Sequence, residues 1–232
     1  MTSENPDHPA VSVFIPVRDE PTAIVGSIRA ALNQDYHGDI EVIVADGSSH
    51  NDTRHAIDGV FGGDDRVVMV DNPAGSTPAG LNAALLASSG DILVRCDAHA
   101  QLPPEYVSLA IEVMASTGAD VVGGKQLAVG RTAFESAVAV AMSSPMGAGG
   151  ATYRTGDKPQ STDTVYLGVF RRGVFERVGL FDESLIRNQD YEFNQRVRAS
   201  GGVVYFHPDL QVEYRPRSSP GDLWRQYWQY GA

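Results

Sequence analysis

Asp97 and His99 lie two residues apart, directly after the mostly apolar residues 91–96. A carboxylate oxygen and an imidazole nitrogen at this spacing in a turn can bind one divalent cation together. Such a cation bridges diphosphate oxygens and stabilises the charge on a departing nucleoside diphosphate. Residues after the first apolar run form no Gly-x-Gly-x-x-Gly, and the chain has no Walker-type Gly-Lys-Ser/Thr. A dinucleotide-dependent dehydrogenase or a P-loop enzyme is therefore disfavoured.

A second acidic residue, Asp190, stands at the start of residues 189–199, which are predicted to form a helix that stops at Gly201. Two interpretations of Asp190 are open. Its carboxylate can serve as a general base that takes a proton from an attacking hydroxyl group. It can instead cap the helix, and the residues alone favour the cap because Asp is a common capping residue.

The elements that position these residues alternate between strand and helix over the first half of the chain. The apolar runs 11–16, 40–45, 67–70 and 91–96 predict strands, and the segments between them carry helical spacing or helix-start signals such as Thr77-Pro78. This alternation predicts an α/β fold with a doubly wound, mostly parallel sheet. Three strands end in polar turns at 16–20, 46–49 and 97–99, which places all three turns at one rim of the sheet, where ligands bind in such folds.

The second half of the chain is less regular. Residues 145–162 are rich in Gly, Ser and Thr and predict a long mobile loop. Residues 165–170, 203–206 and 210–214 predict strands, and 219–230 predict a terminal helix with an aromatic face. We expect a disordered N-terminus over 1–10 and one domain over 11–232, with a donor-binding half at about 11–125 and an acceptor-side half at about 126–232.

Composition narrows the class of protein further. A formal net charge of −11 on 232 residues argues against a nucleic-acid partner, because phosphate backbones require a basic surface. The single cysteine, Cys96, excludes an intramolecular disulfide and a cysteine-rich zinc site. The polar N-terminus has no signal-peptide pattern, and no apolar stretch approaches the length of a membrane span. We expect a soluble, cytoplasmic protein.

Several spaced motifs together resemble those of glycosyltransferase family 2. In order along the chain, they are VFIPVRDE at 13–20, DGSSHNDT at 46–53, Gly80-Leu81-Asn82, Asp97-Ala98-His99, GVFRR at 168–172, VGLFDE at 178–183 and Asn188-Gln189-Asp190. Within the family, NQD at 188–190, YRPR at 214–217 and the ending RQYWQYG at 225–231 resemble the succinoglycan-biosynthesis type. The resemblance implies a GT-A fold with a smaller mixed sheet on the acceptor side. It also implies inverting transfer of a hexose from a nucleotide sugar, usually UDP-linked, in polysaccharide biosynthesis.

The same resemblance assigns roles to individual residues. Asp97 matches the first Asp of the family's Asp-x-Asp metal motif, and His99 takes the place of the second. Imidazole suits Mn²⁺ better than Mg²⁺, so the expected cofactor is Mn²⁺, with Mg²⁺ as the alternative. Asp190 matches the catalytic base, and the resemblance therefore favours the base over the cap. Asp46 is expected to form a hydrogen bond with the nucleobase of the donor. The residues expected to contact the donor are Pro16, Arg18, Glu20, Asp46, Ser48, Asn82 and Asp97.

The acceptor is expected to be a glycan or a lipid-linked glycan. Gly168, Gln226 and Trp228 are expected on the acceptor side, where aromatic rings can stack on sugars; the alternative is an amphipathic helix that packs its tryptophans. Relatives of this type are expected to continue into a membrane-associated region. Membrane association through a region outside this chain, at the inner face of the cell membrane, is therefore part of the expectation.

Two other functions remain as alternatives. A sugar nucleotidyltransferase usually has a glycine-rich loop with Arg or Lys after its first strand, whereas residues 16–20 contain no glycine. A non-catalytic carbohydrate- or nucleotide-binding domain would have no need of both Asp97 and Asp190.

Overall fold

The computed structural model describes residues 8–185 and 187–231, without the side chains of 145, 148, 226, 227 and 229–231. Most of the predicted disordered segment 1–10 lies outside this range. In the first half, strands and helices alternate as predicted: β1 (Val11–Val17), α1 (Pro21–Leu32), β2 (Ile40–Asp46), α2 (Asp52–Phe61), β3 (Val67–Asp71), α3 (Thr77–Ala87), β4 (Ile92–Arg95) and α4 (Tyr106–Thr117).

The second half contains more short elements. They are β5 (Val121–Ala128), α5 (Ala133–Met142), α6 (Pro145–Ala148), α7 (Thr152–Thr155), β6 (Gln160–Ser161), β7 (Tyr166–Arg171), α8 (Arg172–Val178), α9 (Gln189–Ala199), β8 (Val204–Tyr214) and α10 (Pro220–Gly231). The prediction of a long loop over 145–162 is wrong, because α6, α7 and β6 lie within it. Ser144 caps α6 by accepting a hydrogen bond from the Gly147 N–H, a local signal that the lack of apolar periodicity concealed.

All eight strands belong to one sheet in the order β3-β2-β1-β4-β7-β5-β8-β6. Strands β1 to β4 pair in parallel, which confirms the predicted doubly wound arrangement. Strand β7 pairs antiparallel with both β4 and β5. The expected mixed acceptor-side strands are therefore present, but they continue the main sheet through β7 instead of forming a separate one.

The two faces of the sheet are covered by helices, and alternate strand residues belong to different apolar clusters. Val13 and Ile15 of β1 pack with residues of α1 and α4, whereas Phe14 packs with residues of α3, α8 and α9. This alternation is the two-residue period of a strand that is buried on both sides. The core thus holds the carboxyl ends of β1 and β4 in fixed relative positions.

Strand β8 joins two segments that were predicted as separate strands. Its pairing with β5 is interrupted, and the register shifts between Gly123 and Lys125. A Cβ atom on Gly124 would lie 1.6 Å from the Leu210 carbonyl oxygen, so the close approach of β5 and β8 at this point requires glycine. Pro208 lies within the interruption and has no N–H to donate, which explains the gap in the sequence pattern.

Candidate active site

A cavity of about 870 Å³ opens at the carboxyl ends of β1 and β4 and is closed on its other side by residues of the second half. One wall, which we call the donor wall because the sequence predicts donor contacts there, includes the turn after β1 and the turn after β4. The opposite wall, which we call the acceptor wall for the corresponding reason, includes residues from α7, β7, α9, the end of β8 and α10. The predicted site residues that line this cavity are Pro16, Arg18, Glu20, Asp97, His99 and Asp190.

A buried arginine connects the two acidic residues singled out in the sequence. Arg95 is the last residue of β4, and its side chain is 7% exposed. Its Nη2 donates to Asp97 Oδ1 at 3.1 Å, and its Nη1 donates to Asp190 Oδ1. Sequence reasoning missed Arg95, although a charged residue that ends the apolar run Ile92-Leu93-Val94 was a usable signal.

Asp190 is the second residue of α9, and the capping interpretation is wrong. Asn188 occupies the cap position with a left-handed φ of 61° and makes no side-chain capping bond. The Asp190 carboxylate instead accepts its hydrogen bond from Arg95, on a different element. The partial positive charge at the start of α9 favours its ionised form.

Opposing effects act on the acidity of Asp190. Burial raises the pKa of Asp190 most strongly, the positive charge of Arg95 lowers it, and the negative charge of Asp97 raises it. The net result is a pKa above the ordinary value of 3.8. A raised pKa makes the carboxylate a better proton acceptor than an exposed aspartate. The Asp190 side chain is 35% exposed, so a substrate hydroxyl can reach it from the cavity.

The turn after β4 offers a cation two side chains, those of Asp97 and His99. The Asp97 side chain is 24% exposed, and one of its oxygens accepts from Arg95. The exposed His99 makes no side-chain hydrogen bond or ion pair with the part of the chain that the structure describes. Among those residues there is no group of three or more His, Cys, Asp or Glu side chains that could hold a metal. The pair fits a cation only if bound diphosphate or water completes the coordination.

The turns after β1 and β2 are fastened to each other by hydrogen bonds. Asp19, with φ 54°, donates its N–H to Ser48 Oγ at 2.8 Å and accepts from the Ser49 N–H at 3.0 Å. Asp46 Oδ1 accepts from the Ser48 N–H at 2.9 Å. Asp46 and Ser48 therefore hold the turns in place, and within the described residues neither lines the cavity.

Strained backbone positions concentrate at this cavity. The described non-glycine residues with positive φ are Asp19, Leu167 and Asn188. Asn188 lines the cavity itself, Asp19 lies between Arg18 and Glu20, and Leu167 follows Tyr166, which also lines it. Such strain persists where the surrounding structure enforces it, which is common at binding sites.

Tyr166 is a further cavity residue that the sequence did not single out. Burial, followed by the negative charge of Asp97, raises the pKa of Tyr166 well above its ordinary value. Its hydroxyl group therefore stays protonated and can donate a hydrogen bond into the cavity near neutral pH. The other unforeseen lining residues include Thr77, Gln126, Arg187 and Tyr191.

Three predicted residues lie elsewhere among the described side chains. The Asn82 amide donates to the Phe181 carbonyl and to Glu183 Oε1, each at 2.9 Å, so it fastens α3 to the loop before α9. Gly168 is buried in β7, where an added Cβ would lie 2.6 Å from the Phe170 ring. Trp228 on α10 is 67% exposed beside Trp224, at 6.3 Å between ring centroids. The Gln226 side chain lies outside the described residues.

None of the described helices is both long enough and apolar enough to span a membrane.

Comparison with known proteins supplies the family. The model of "Glycosyl transferase family 2" matches residues 12–179. The chain is 30% identical over 236 residues to "Succinoglycan biosynthesis protein ExoA" of Rhizobium meliloti (strain 1021), covering all of this chain and 71% of ExoA. It is 24% identical over 234 residues to a dolichyl N-acetyl-alpha-D-glucosaminyl phosphate 3-beta-D-2,3-diacetamido-2,3-dideoxy-beta-D-glucuronosyltransferase of Methanococcus voltae, covering 96% of this chain and 72% of that protein.

Solved structures agree in fold. The mannosyltransferase PcManGT from Pyrobaculum calidifontis, in complex with GDP-Man and Mn²⁺, matches with a TM-score of 0.71 at 21% identity, over 94% of this chain and 60% of that one. S. aureus TarS 1-349 in complex with UDP matches with a TM-score of 0.65 at 16% identity, over 93% of this chain and 62% of that one. At these identities the likeness speaks for the fold alone, and the predicted GT-A fold is confirmed.

The family match covers most of this chain, and the similarity to ExoA extends over the full length of this chain. This chain therefore belongs to glycosyl transferase family 2, and the predicted enzyme class, glycosyltransferase, is confirmed.

Proposed function

We propose that this chain is an inverting glycosyltransferase that moves a hexose from a UDP-linked sugar to a hydroxyl group of a glycan or lipid-linked glycan. The observation that carries the proposal is the Arg95 bridge. It holds Asp190, the proposed base, in the same cavity as the Asp97–His99 turn proposed for the diphosphate. Donor and acceptor chemistry would thus meet at one point between the two halves of the chain, about 11–125 and about 126–232.

In the proposed reaction, an acceptor hydroxyl attacks the anomeric carbon from the face opposite the nucleoside diphosphate. The new glycosidic C–O bond forms as the bond to the diphosphate oxygen breaks, which inverts the anomeric configuration. Asp190 accepts the hydroxyl proton during this attack. Its raised pKa and its partial exposure to the cavity both suit that role.

Asp97 and His99 are the residues that would hold a divalent cation, Mn²⁺ or Mg²⁺, against the donor diphosphate. When bound, such a cation would offset the charge of the leaving diphosphate. The mixed oxygen and nitrogen donors favour Mn²⁺, because Mg²⁺ prefers oxygen ligands. The Mn²⁺ in the Pyrobaculum calidifontis mannosyltransferase complex is consistent with this choice.

The nucleoside is assigned to the end of β1 and the turn after it, where Pro16, Arg18 and Glu20 line the cavity. The choice of UDP rests on Asp46, which stands at the family position that binds the nucleobase of the donor. Solved relatives hold GDP-Man in one case and UDP in another, so the fold accommodates both nucleotides. Glycan biosynthesis as the setting is supported by the ExoA relative.

Donor binding and donor turnover test this proposal in separate steps. Calorimetry with Mn²⁺ should show UDP binding more tightly than GDP or dTDP. Asp97→Ala should abolish the metal-dependent part of UDP binding while the variant remains folded. A radiolabelled UDP-sugar should then be consumed in the presence of an oligosaccharide or lipid extract. Preference for GDP overturns the donor, and unaltered Mn²⁺ and UDP binding by Asp97→Ala overturns the cation site.

A further inference from the structure

Burying the Arg95 guanidinium costs free energy, and the stability of the fold does not by itself explain why this residue is present. Its side chain is 7% exposed, and its Nε is buried without a hydrogen-bond acceptor among the described residues. Burying a guanidinium and its carboxylate partners is expensive, and apolar residues of similar size often stabilise a fold as well or better. A role in the reaction accounts for its presence in an otherwise apolar strand.

We propose that Arg95 is a positioning residue that orients Asp190 and couples this base to cation binding at Asp97. The inference rests on the proposed function, since it assigns Arg95 a task only if Asp190 is the base and Asp97 a cation ligand.

The first part of the argument concerns orientation. Arg95 Nη1 donates to one carboxylate oxygen of Asp190. Among the described residues, Arg95 is the group that hydrogen-bonds this carboxylate. Asp190 lies in the first turn of α9 but does not cap it, so its own helix does not fix the carboxylate. Arg95 therefore sets which oxygen is engaged and leaves the other oxygen to accept the substrate proton.

The second part concerns coupling. The guanidinium is planar and rigid, and its two terminal nitrogens contact Asp97 and Asp190 at the same time. A cation at Asp97 competes with Arg95 for the negative charge of that carboxylate, which leaves more of the Arg95 charge to Asp190. Coupling of this kind is reciprocal, so Asp190 must in turn affect cation affinity through Arg95.

Cation binding tests the coupling without any catalytic assay. Mn²⁺ affinity in the presence of UDP is measured by calorimetry for the wild type, Arg95→Met, Asp190→Asn and the double variant. Asp190→Asn frees Arg95 to pair with Asp97 alone and should weaken Mn²⁺ binding by roughly fivefold, the lower end of usual coupling. In the Arg95→Met background the same substitution should have an effect of less than about twofold. An equal effect in both backgrounds would show that the charge of Asp190 acts on the cation directly, and it would overturn the coupling through Arg95.

Transfer kinetics test the orientation. Arg95→Met should lower kcat by roughly tenfold or more, with the KM for donor nearly unchanged, because the contact acts on proton transfer. This loss should largely disappear in the Asp190→Asn background, since Arg95 then has no base to orient. Additive losses would overturn the inference. Normal transfer by Asp190→Asn alone would instead overturn the proposed base, while the Mn²⁺ measurement still reports on the coupling.

Two further variants separate this role from fold stability. Arg95→Lys keeps the charge but cannot contact both carboxylates with a planar fork, so it should fold and still lose the coupling; full coupling and kcat in this variant would contradict the proposal. Arg172→Met is the matched control, because Arg172, the first residue of α8, also makes a long-range contact by donating to the Gly90 carbonyl at 2.6 Å, and it does not line the cavity. It should lower the melting temperature and leave Mn²⁺ affinity unchanged. A change in Mn²⁺ affinity of about fivefold or more in Arg172→Met would overturn the inference.

Discussion

The two walls of the cavity are built in different ways. On the donor side, parallel strands end at one rim, and their turns are fastened by short hydrogen bonds such as that from the Asp19 N–H to Ser48 Oγ at 2.8 Å. On the acceptor side, short helices, a bulged strand pair and the left-handed Asn188 define the wall. In the proposed function the regular wall holds the nucleotide, and the irregular wall is the one that varies with the acceptor. The Arg95 bridge joins the two walls.

The largest expected effect comes from removing the proposed base, Asp190, from the irregular wall. Asp190→Asn keeps the shape of the side chain and should reduce transfer by about 10²- to 10⁴-fold, the usual scale for general base catalysis. At saturating Mn²⁺, UDP affinity and melting temperature should stay close to those of the wild type. Glu192→Gln is the control on the same helix, because Glu192 pairs with Arg196 at 2.6 Å and does not line the cavity. Near-normal transfer by Asp190→Asn would assign catalysis to the donor wall alone.

The next effect is on the stability of the irregular wall. Gly124→Ala forces a Cβ against the Leu210 carbonyl oxygen, 1.6 Å away, and should destabilise the fold by about 3 kcal/mol or more in denaturant unfolding. Gly59→Ala is the matched change on the donor side. A Cβ there meets nothing within 4 Å inside α2, so it should stabilise the fold by about 0.5–1 kcal/mol. Equal effects of the two substitutions on stability would contradict the inferred difference in packing between the two walls.

The pH dependence of transfer reports on the junction between the walls. Asp190 must be ionised to act as a base, and its pKa lies above 3.8 because burial and the charge of Asp97 outweigh the effect of Arg95. Activity should fall about tenfold for each pH unit below that raised pKa, measured as kcat/KM. The stability contribution has the opposite sign: a raised carboxyl pKa stabilises the fold at low pH, and this contribution is lost as pH rises through the folded-state pKa. If kcat/KM instead fell at acid pH with the pKa of an ordinary aspartate, the assignment of Asp190 as the base would be contradicted.

The smallest expected effect concerns the metal preference of the donor wall. His99→Asp replaces an imidazole with an oxygen ligand and should shift the preference from Mn²⁺ toward Mg²⁺, with activity kept within about tenfold of the wild type. The ratio of activities with the two metals measures the shift. An unchanged ratio would remove His99 from the cation site.

Much of the donor wall was predictable because its signals are local. The predicted strand over 40–45 lies within one residue of β2, and the predicted helix start at Thr77 is the first residue of α3. Apolar runs bounded by turn formers, and a Pro in the first helical turn, specify such elements over a few residues. The prediction of a loop over 145–162 failed for the opposite reason, since the short elements there depend on packing and caps more than on periodicity.

The sequence by itself determined the alternation of elements, the polar turns at one rim and the candidate residues Asp97, His99 and Asp190. Only the tertiary structure decided which of them share a cavity. The Arg95–Asp190 contact joins residues 95 positions apart, and Asn82 reaches the loop at Phe181 over a separation of 99. Periodicity and capping are properties of neighbours along the chain. A contact between a strand end and a distant helix start depends instead on how the whole sheet packs, and no local pattern encodes it.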